Sequence, residues 1–292
     1  MNDFLAALLV HPNTKQPLYY DASANILKEG NGDGVFHILS NVPLLLPVTT
    51  DNDALFNYQE HYEQDAKSFD YFEDFIDAHQ VENDRLHEHI LSEIPDHAAL
   101  ILDVGCGGAW LSKQMLPKGK TVISMDISTT NPVRALQMYP SENHYAIVAD
   151  VFSLPIRPNA IDCIVASEII EHVKDPALFI EQLTAVLKPG GKLVITTPHN
   201  EVILQSLCIH CNSLTPQNAH LHSFTQDKIK SLVKNDIGKV ETRIFNSKLL
   251  LFFRLHEKLR NVSFRLWRVI DKLAIRISGK KAARLMLTVI KK

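Results

Sequence analysis

Two acids, a glycine turn and a scatter of histidines carry the chemistry this chain can do. The run Leu100-Ile101-Leu102-Asp103-Val104-Gly105-Cys106-Gly107-Gly108-Ala109-Trp110 reads as a strand that ends in a glycine-rich turn and opens a helix. Glycines permit a tight turn and let a ligand approach the backbone where a Cβ would collide. Asp103 stands before the turn, where a pyrophosphate site disfavours a carboxylate. A second acid, Asp126, closes the next apolar run 21 residues after Gly105, placed to accept hydrogen bonds from both hydroxyls of a ribose. The pair suits a cationic nucleoside. The competing reading, a dinucleotide-binding domain, lacks its three-glycine fingerprint in the required spacing.

Two histidines are candidate general bases: His172, next to Glu171, and His199, at the end of an apolar run. His172 has a packing role as its plainer reading. Cys208 and Cys211 stand at the spacing that grips one metal ion, and His220 or His222 would add ligands. The plainer reading there is a pair of reduced thiols in a substrate-covering loop with His220 and His222 in its wall, and no metal site is counted among the expected ones.

These side chains need elements to hold them. Residues 99–105, 121–127, 144–150, 160–167 and 191–198 are short apolar, mostly β-branched runs bounded by Gly, Pro, Asp or Asn and separated by helical stretches. That pattern predicts parallel strands buried on both faces, an α/β fold with the ligand edge at the strands' carboxyl ends. Val240–Phe245 reads as a sixth strand and Ala283–Ile290 as a last one, with 248–278 inserted between them. In the insertion Phe252, Leu255, Leu259, Val262, Leu266, Val269, Leu273 and Ile277 recur at helical spacing, and Arg254, Lys258, Arg260, Arg265, Arg268, Lys272 and Arg276 occupy the other side. A basic amphipathic helix of this kind can lie on a membrane surface, or pack on its own domain or a second copy.

With six motifs now in order, the chain resembles the class I S-adenosylmethionine-dependent methyltransferases, above all the branch of the ubiquinone, menaquinone and biotin pathways. The matching parts are Asp103–Gly108, Asp126, Ala149-Asp150-Val151-Phe152 with Leu154-Pro155, the run Ile161–Ser167, the Glu-His stretch Glu168–Pro176 as a helix opening, and Leu187–Gly191 before the fifth strand. They span roughly residues 85–245. The resemblance implies a Rossmann-like seven-stranded sheet with its last strand antiparallel, and S-adenosyl-L-methionine as cofactor. It implies that Gly105 and Gly107 carry the methionine part, that Asp103 faces the amino group, that Asp126 takes the ribose hydroxyls with Ile127 against the adenine, that Asp150 and Val151 meet the adenine, and that Ser167 and Glu168 lie beneath the sulfonium. The acceptor it implies is a small molecule, a lipid or a lipid-linked glycan; an rRNA or tRNA methyltransferase and a non-catalytic partner protein are the alternatives.

Residues 8–47 resemble a small zinc-ribbon-like module, through His11-Pro12, Lys15, Pro17-Leu18, Val35–Ile38 and Val42–Leu45. No cysteine precedes Cys106, so a metal-free β module over residues 1–50 is expected, then a helical linker or cap over 51–97 and the methyltransferase domain over 98–292. At 292 residues, 46% hydrophobic and 22% charged, the chain is neither disordered nor limited to one small domain. It holds no run of eighteen apolar residues, and its N-terminus lacks a basic leader with a cleavage site. With only four cysteines, a cytoplasmic setting is expected. Residues 243–292 hold 14 of the 30 Lys and Arg but 2 of the 33 Asp and Glu. Polyanions are therefore attracted by the C-terminal segment and repelled by the rest, which makes nucleic acid an unlikely partner and an anionic membrane surface a credible one.

Overall fold

The computed structural model describes residues 3–30, 32, 34–47, 58–73, 78–207 and 214–292. The chain divides into two compact units, each drawn from three separate stretches. The first is Met1–Glu73, His97–Val165 and Gln182–Gly191; the second is Asp74–Asp96, Ala166–Glu181 and Lys192–Lys292.

In the first unit, helix α1 (Asp3–Leu8) precedes strands β1 (Leu18–Asp21), β2 (Ile26–Glu29), β3 (Val35–Leu39) and β4 (Val42–Leu45). Helix α2 (Tyr58–Ser68) follows. Strands β5 (Leu100–Val104), β6 (Thr121–Asp126), β7 (His144–Ala149) and the greater part of β8 (Ile161–Ser167) follow, with helices α4 (Trp110–Met115) and α5 (Thr130–Met138) between them. Every residue of β5 is buried, which is why these strands are continuous apolar runs and not alternating ones. Strands β5, β6 and β7 pair in parallel. Strands β1 to β4 form an antiparallel meander. Its last strand joins the parallel sheet, Leu44 lying opposite Val148 and Leu45 opposite Ala149 on β7. The N-terminal β module therefore lends a strand to the parallel sheet, and the strand count exceeds the seven expected. His11 accepts hydrogen bonds at Nδ1 from the backbone of Asn13 and Thr14, both at 3.1 Å. The His11 side chain closes this turn.

The second unit contains helix α3 (Ala78–Leu91), the C-terminal part of β9 (Leu187–Pro198), the short pair β10 (Gln205–Leu207) and β11 (Leu214–Pro216), and two long strands, β12 (Gly238–Ser247) and β13 (Ala282–Lys291). As expected, the last strand is antiparallel: β13 lies between β9 and β12, with Leu285 opposite Thr197 and Val289 opposite Val240.

The insertion departs from the sequence expectation in its number of helices. It is three helices, not one: α8 (Lys248–Phe252), α9 (Leu255–Lys258) and α10 (Phe264–Ile277). Arg254 breaks the first pair with φ 52°. The guanidinium of Arg85, from α3, donates to the carbonyls of Leu259, Arg260 and Val262 at 2.9–3.1 Å, satisfying the backbone at the second break. The aliphatic stripe of α10 faces outward. Leu266, Val269, Leu273 and Ile277 are 53–70% exposed. The buried side of α10 is Trp267, Asp271, Ala274 and Ile275. Trp267 is the largest side chain available for burial, and it packs with Leu250 and Ala274. Asp271 accepts from the backbone N–H of Asn246 and Ser247, at 3.0 and 2.6 Å, at the end of β12. A hydrogen-bonded buried acid and one tryptophan outweigh four aliphatic side chains in choosing the inner face.

His89 on α3 is buried against Phe245 and Phe264, with ring centroids 4.2 and 5.0 Å away. Neither ring nitrogen has a hydrogen-bond partner among the described residues. Burial, helped by Arg243, Arg268 and Arg85, pushes its pKa down to about 3 from 6.5. A histidine depressed in the folded state leaves the unfolded chain binding more protons below pH 6.5. Stability is then lost as the pH falls from about 6.5 toward 3, by about 1.4 kcal/mol per unit at most. Denaturant melts at pH 7 and pH 5 should show His89→Leu losing less stability on acidification than the parent. Equal losses in both would contradict this account.

Candidate active site

In the first unit β5 delivers Asp103 and then a sharp turn, Gly105 and Gly107 taking φ 70° and 45°. The N–H groups of Gly105 and Cys106 donate to the carbonyl of Met125 at 2.8 and 3.0 Å, pinning the turn to the end of β6. Asp126 is the next residue. Its carboxylate accepts from Ser128 N at 2.9 Å, Asn131 Nδ2 at 3.3 Å and Gly107 N at 3.4 Å. Asp103 is 2% exposed, and its Oδ2 has no hydrogen-bond partner among the described residues. Burial raises the pKa of both acids, and the charge of Asp126 pushes Asp103 higher still. A buried carboxyl oxygen without a donor, beside a second acid, favours the neutral form until a cation arrives.

Asp150 follows β7. Its Oδ1 accepts from Phe152 N at 2.9 Å, opening a short helical turn over Val151–Ser153. Its other oxygen takes the hydroxyl of Tyr58. Burial and that acceptor keep the Tyr58 phenol protonated well above its ordinary range. Helix α2 and the turn after it form a cover that sequence reasoning gave only as a cap. Besides Tyr58, Glu63 accepts from Thr129 N at 2.6 Å and Thr129 Oγ1 at 2.7 Å. The Tyr71 ring and carbonyl lie on the glycine turn. A Cβ on Gly107 would stand 3.3 Å from the Tyr71 ring, and one on Gly108 would stand 2.1 Å from the Tyr71 oxygen. Arg134 holds the cover through Asp70 at 2.9 Å and by stacking over Phe72 at 4.5 Å. Beside it Ile127 and Thr129 line a cleft of about 480 Å³, with Leu46 and Glu63 opposite. The dense aromatic and acidic content of 58–73 was the available signal for this cover.

The second unit holds the other expected residues. Ser167 Oγ meets Thr196 Oγ1 at 3.1 Å. Glu168 adopts φ 57°, donates its N–H to the Thr196 carbonyl at 3.0 Å and faces Arg284 at 3.0 Å. Burial raises the Glu168 pKa and Arg284 opposes the rise. Residues 168–175 form a turn, not the helix opening expected from the Glu-His motif. Helix α6 (Pro176–Val186) begins only at Pro176. Proline is pre-set for a first helical position, and the Asp175 side chain accepts from Ala177 N and Leu178 N at 3.1 and 3.0 Å as its cap. His172 Nδ1 lies 3.2 Å from the Ala219 carbonyl, and its ring meets that of His220 at 4.8 Å, edge to face. His220 Nδ1 is 2.6 Å from Glu201. His222 Nε2 is 2.9 Å from the Val173 carbonyl. His199 is held by its N–H to the Ala283 carbonyl at 2.9 Å. Partial burial lowers its pKa below 6.5, so the ring is neutral at pH 7. Cys208 and Cys211 lie outside the described residues.

Of the expected residues, Asp103, Gly105, Gly107 and Asp126 come together at one turn. Asp150 and Ile127 meet the cover over that turn and Val151 follows Asp150 in its short helical turn, while Ser167, Glu168, His172 and His199 belong to the second unit. A family model of a methyltransferase domain matches residues 56–236. The chain is 32% identical over 114 residues to a ubiquinone biosynthesis O-methyltransferase of Xylella fastidiosa, covering 38% of this chain and 46% of that protein. It is 26% identical over 194 residues to the protein of that name from Colwellia psychrerythraea, covering 60% and 77%. It is 30% identical over 177 residues to the human mitochondrial one, covering 54% and 48%. The chain thus spans about half the length of the first of these relatives. Among solved structures, phosphoethanolamine N-methyltransferase 2 of Haemonchus contortus, in complex with S-adenosyl-L-methionine, superposes with TM-score 0.54 at 17% identity over 82% of this chain and 60% of that one. An S-adenosylmethionine-dependent methyltransferase of Mesorhizobium loti gives TM-score 0.54 at 15% identity over 72% and 100%. These two share the fold: an α/β Rossmann-like sheet with an antiparallel final strand. With the family model covering well over half its length, and the motif's acids and glycines gathered at one turn, the chain belongs to the methyltransferase-domain family.

Proposed function

We propose that the protein transfers a methyl group from S-adenosyl-L-methionine to a small-molecule or lipid-like acceptor. The observation that carries this reading is Asp103: a buried carboxylate oxygen with no donor, beside the glycine turn and a second acid. Asp103 would pair there with the cofactor's ammonium. When bound, the cofactor supplies an electrophilic methyl carbon. Asp103 would hold its amino group, Asp126 and Asp150 would take the ribose hydroxyls and adenine amine, and Gly105 and Gly107 would let it lie on the backbone. The Tyr71 ring and carbonyl, which rest on Gly107 and Gly108, would give way to it, and the protein's contribution is position and alignment.

An acceptor hydroxyl must lose a proton. His199, neutral at pH 7, is the candidate to take it. His199→Gln at full turnover would remove it from that role. Transfer of labelled methyl into a fractionated cell extract tests the acceptor class. Label in the small-molecule and lipid pools is expected; label confined to RNA or protein would overturn it.

A lipid-like acceptor would give α10 a use. No helix among the described residues is long and apolar enough to cross a membrane. Leu266, Val269, Leu273 and Ile277 form an exposed ridge, and Arg265, Arg268, Lys272 and Arg276, all exposed, flank it. This is the pattern of a helix lying in an anionic lipid surface. Co-sedimentation with anionic vesicles should retain the protein, and salt should release it. Leu273→Glu should weaken retention about tenfold, the worth of one buried leucine. Equal retention of parent and variant would contradict a lipid-facing α10.

A further inference from the structure

The second unit leaves a cavity of about 670 Å³ beside its terminal strand pair. Strand register builds the floor. On β12 and β13, Arg243 lies opposite Met286 and Glu241 opposite Thr288, and directly opposed residues of an antiparallel pair share a face. Phe245, next but one along β12, joins that face. Helix α3 reaches Phe245 through His89, with ring centroids 4.2 Å apart. Helix α10 reaches Asn246 and Ser247 through Asp271. Both helices are fastened at one end of β12, and the cavity opens over Glu241 and Arg243 between them.

Each acid in the walls is already engaged. Glu93 meets Lys192 and Arg243, both at 2.6 Å. Glu241 meets Lys239 at 2.7 Å, and Asp271 accepts the two backbone N–H groups at the end of β12. Cations are left over. Arg268 and Lys272 of α10, and Lys230 of helix α7 (Gln226–Ser231), line the same space, and none has an acidic partner among the described residues. Donors are left over too. Arg243 Nε is buried without a partner, as are both ring nitrogens of His89, a residue 3% exposed that lines the cavity. Burial and the surrounding cations hold the His89 ring neutral at pH 7, so one of its nitrogens carries a proton that it does not donate. Buried donors without acceptors are rare and costly in folded proteins. Unused donors beside uncompensated positive charge call for an anion with several acceptor oxygens.

We propose that this cavity binds a phosphate ester, with Arg243, Arg268, Lys272 and His89 on the phosphate and with Phe245, Ile275 and Met286 against the body of the ligand. Arginine meets phosphate oxygens with a planar fork, and lysine adds a point charge. Several converging cations favour a phosphate dianion over a singly charged carboxylate. A soluble phosphate ester and a lipid phosphate headgroup share this chemistry. None of these residues belongs to the set assigned to methyl transfer, so the cavity is a second site.

The test is calorimetry on the full chain at fixed salt, with glycerol 3-phosphate and with dihexanoyl phosphatidic acid below its micelle concentration. Saturable binding of one equivalent is expected. Tighter binding of glycerol 3-phosphate assigns a soluble ester, and tighter binding of the phosphatidic acid assigns a lipid headgroup. The double variant Arg268→Gln/Lys272→Gln should weaken binding about 10- to 100-fold, the worth of a hydrogen bond to a charged group. The double variant Arg265→Gln/Arg276→Gln removes the same charge from α10 outside the cavity and should leave affinity unchanged. All four side chains are exposed, so the fold survives both changes. In the parent, the His89 ring resonances should shift as the ester is added. No saturable binding of either ester, or equal losses in the two double variants, would overturn the proposal. None of these outcomes depends on the methyl-transfer reading.

Discussion

Asp103→Asn should move stability and cofactor affinity in opposite directions. In the ligand-free protein the Asp103 carboxyl is buried, its Oδ2 lacks a donor and Asp126 stands opposite. Its pKa is raised above 3.8, so the unfolded chain releases this proton first. The stability tied to Asp103 is complete below about pH 3.8 and is lost as the pH rises through the raised value. Asn carries no charge at any pH. The variant should therefore melt higher than the parent at pH 8, with a gap that narrows as the pH falls. Its affinity for S-adenosylmethionine should drop about 10- to 100-fold, the worth of a hydrogen bond to a charged group. Binding to the parent should release protons, because the ammonium stabilises the ionised carboxylate, and affinity should rise with pH across that window. Calorimetry in two buffers of different ionisation enthalpy measures the release. A variant that melts lower at pH 8 and binds as tightly as the parent contradicts both halves.

The second large effect is expected at Arg85, in α3. Its side chain is 4% exposed and pairs with Glu88 at 2.7 Å. It also donates to three carbonyls between α9 and α10 and stacks over Trp267 at 4.8 Å. Arg85→Met keeps much of the aliphatic bulk and leaves three carbonyls without their donor. Leaving part-buried carbonyls without their donor costs about 1–3 kcal/mol. The loss should be local first: hydrogen exchange should accelerate in 255–267 before the parallel strands loosen. A uniform acceleration across both units, or none, would count against this anchoring role.

The parallel strands were legible because burial on both faces leaves nothing but apolar residues, and Gly, Pro and Asp mark their ends. Asp103 and Asp126 were legible because a turn that must approach a ligand needs glycine and the acids beside it have one spacing. The cover was not: Tyr58 meets Asp150, and Glu63 meets Thr129, across 92 and 66 residues of sequence, and no local pattern encodes such contacts. The insertion misled for a physical reason. Residues 250–263 contain neither proline nor glycine, so nothing local announces the breaks that Arg254's backbone and Arg85's guanidinium allow. Counting aliphatic residues also ignores what Trp267 and Asp271 gain inside.

The most direct test of the account is a calorimetric titration of the intact chain with S-adenosylmethionine, repeated with a nicotinamide dinucleotide. The account predicts one saturable site for S-adenosylmethionine, proton release on binding, at least tenfold weaker binding in Asp103→Asn, and no heat from the dinucleotide. Saturable binding of the dinucleotide, or none of S-adenosylmethionine, would contradict it.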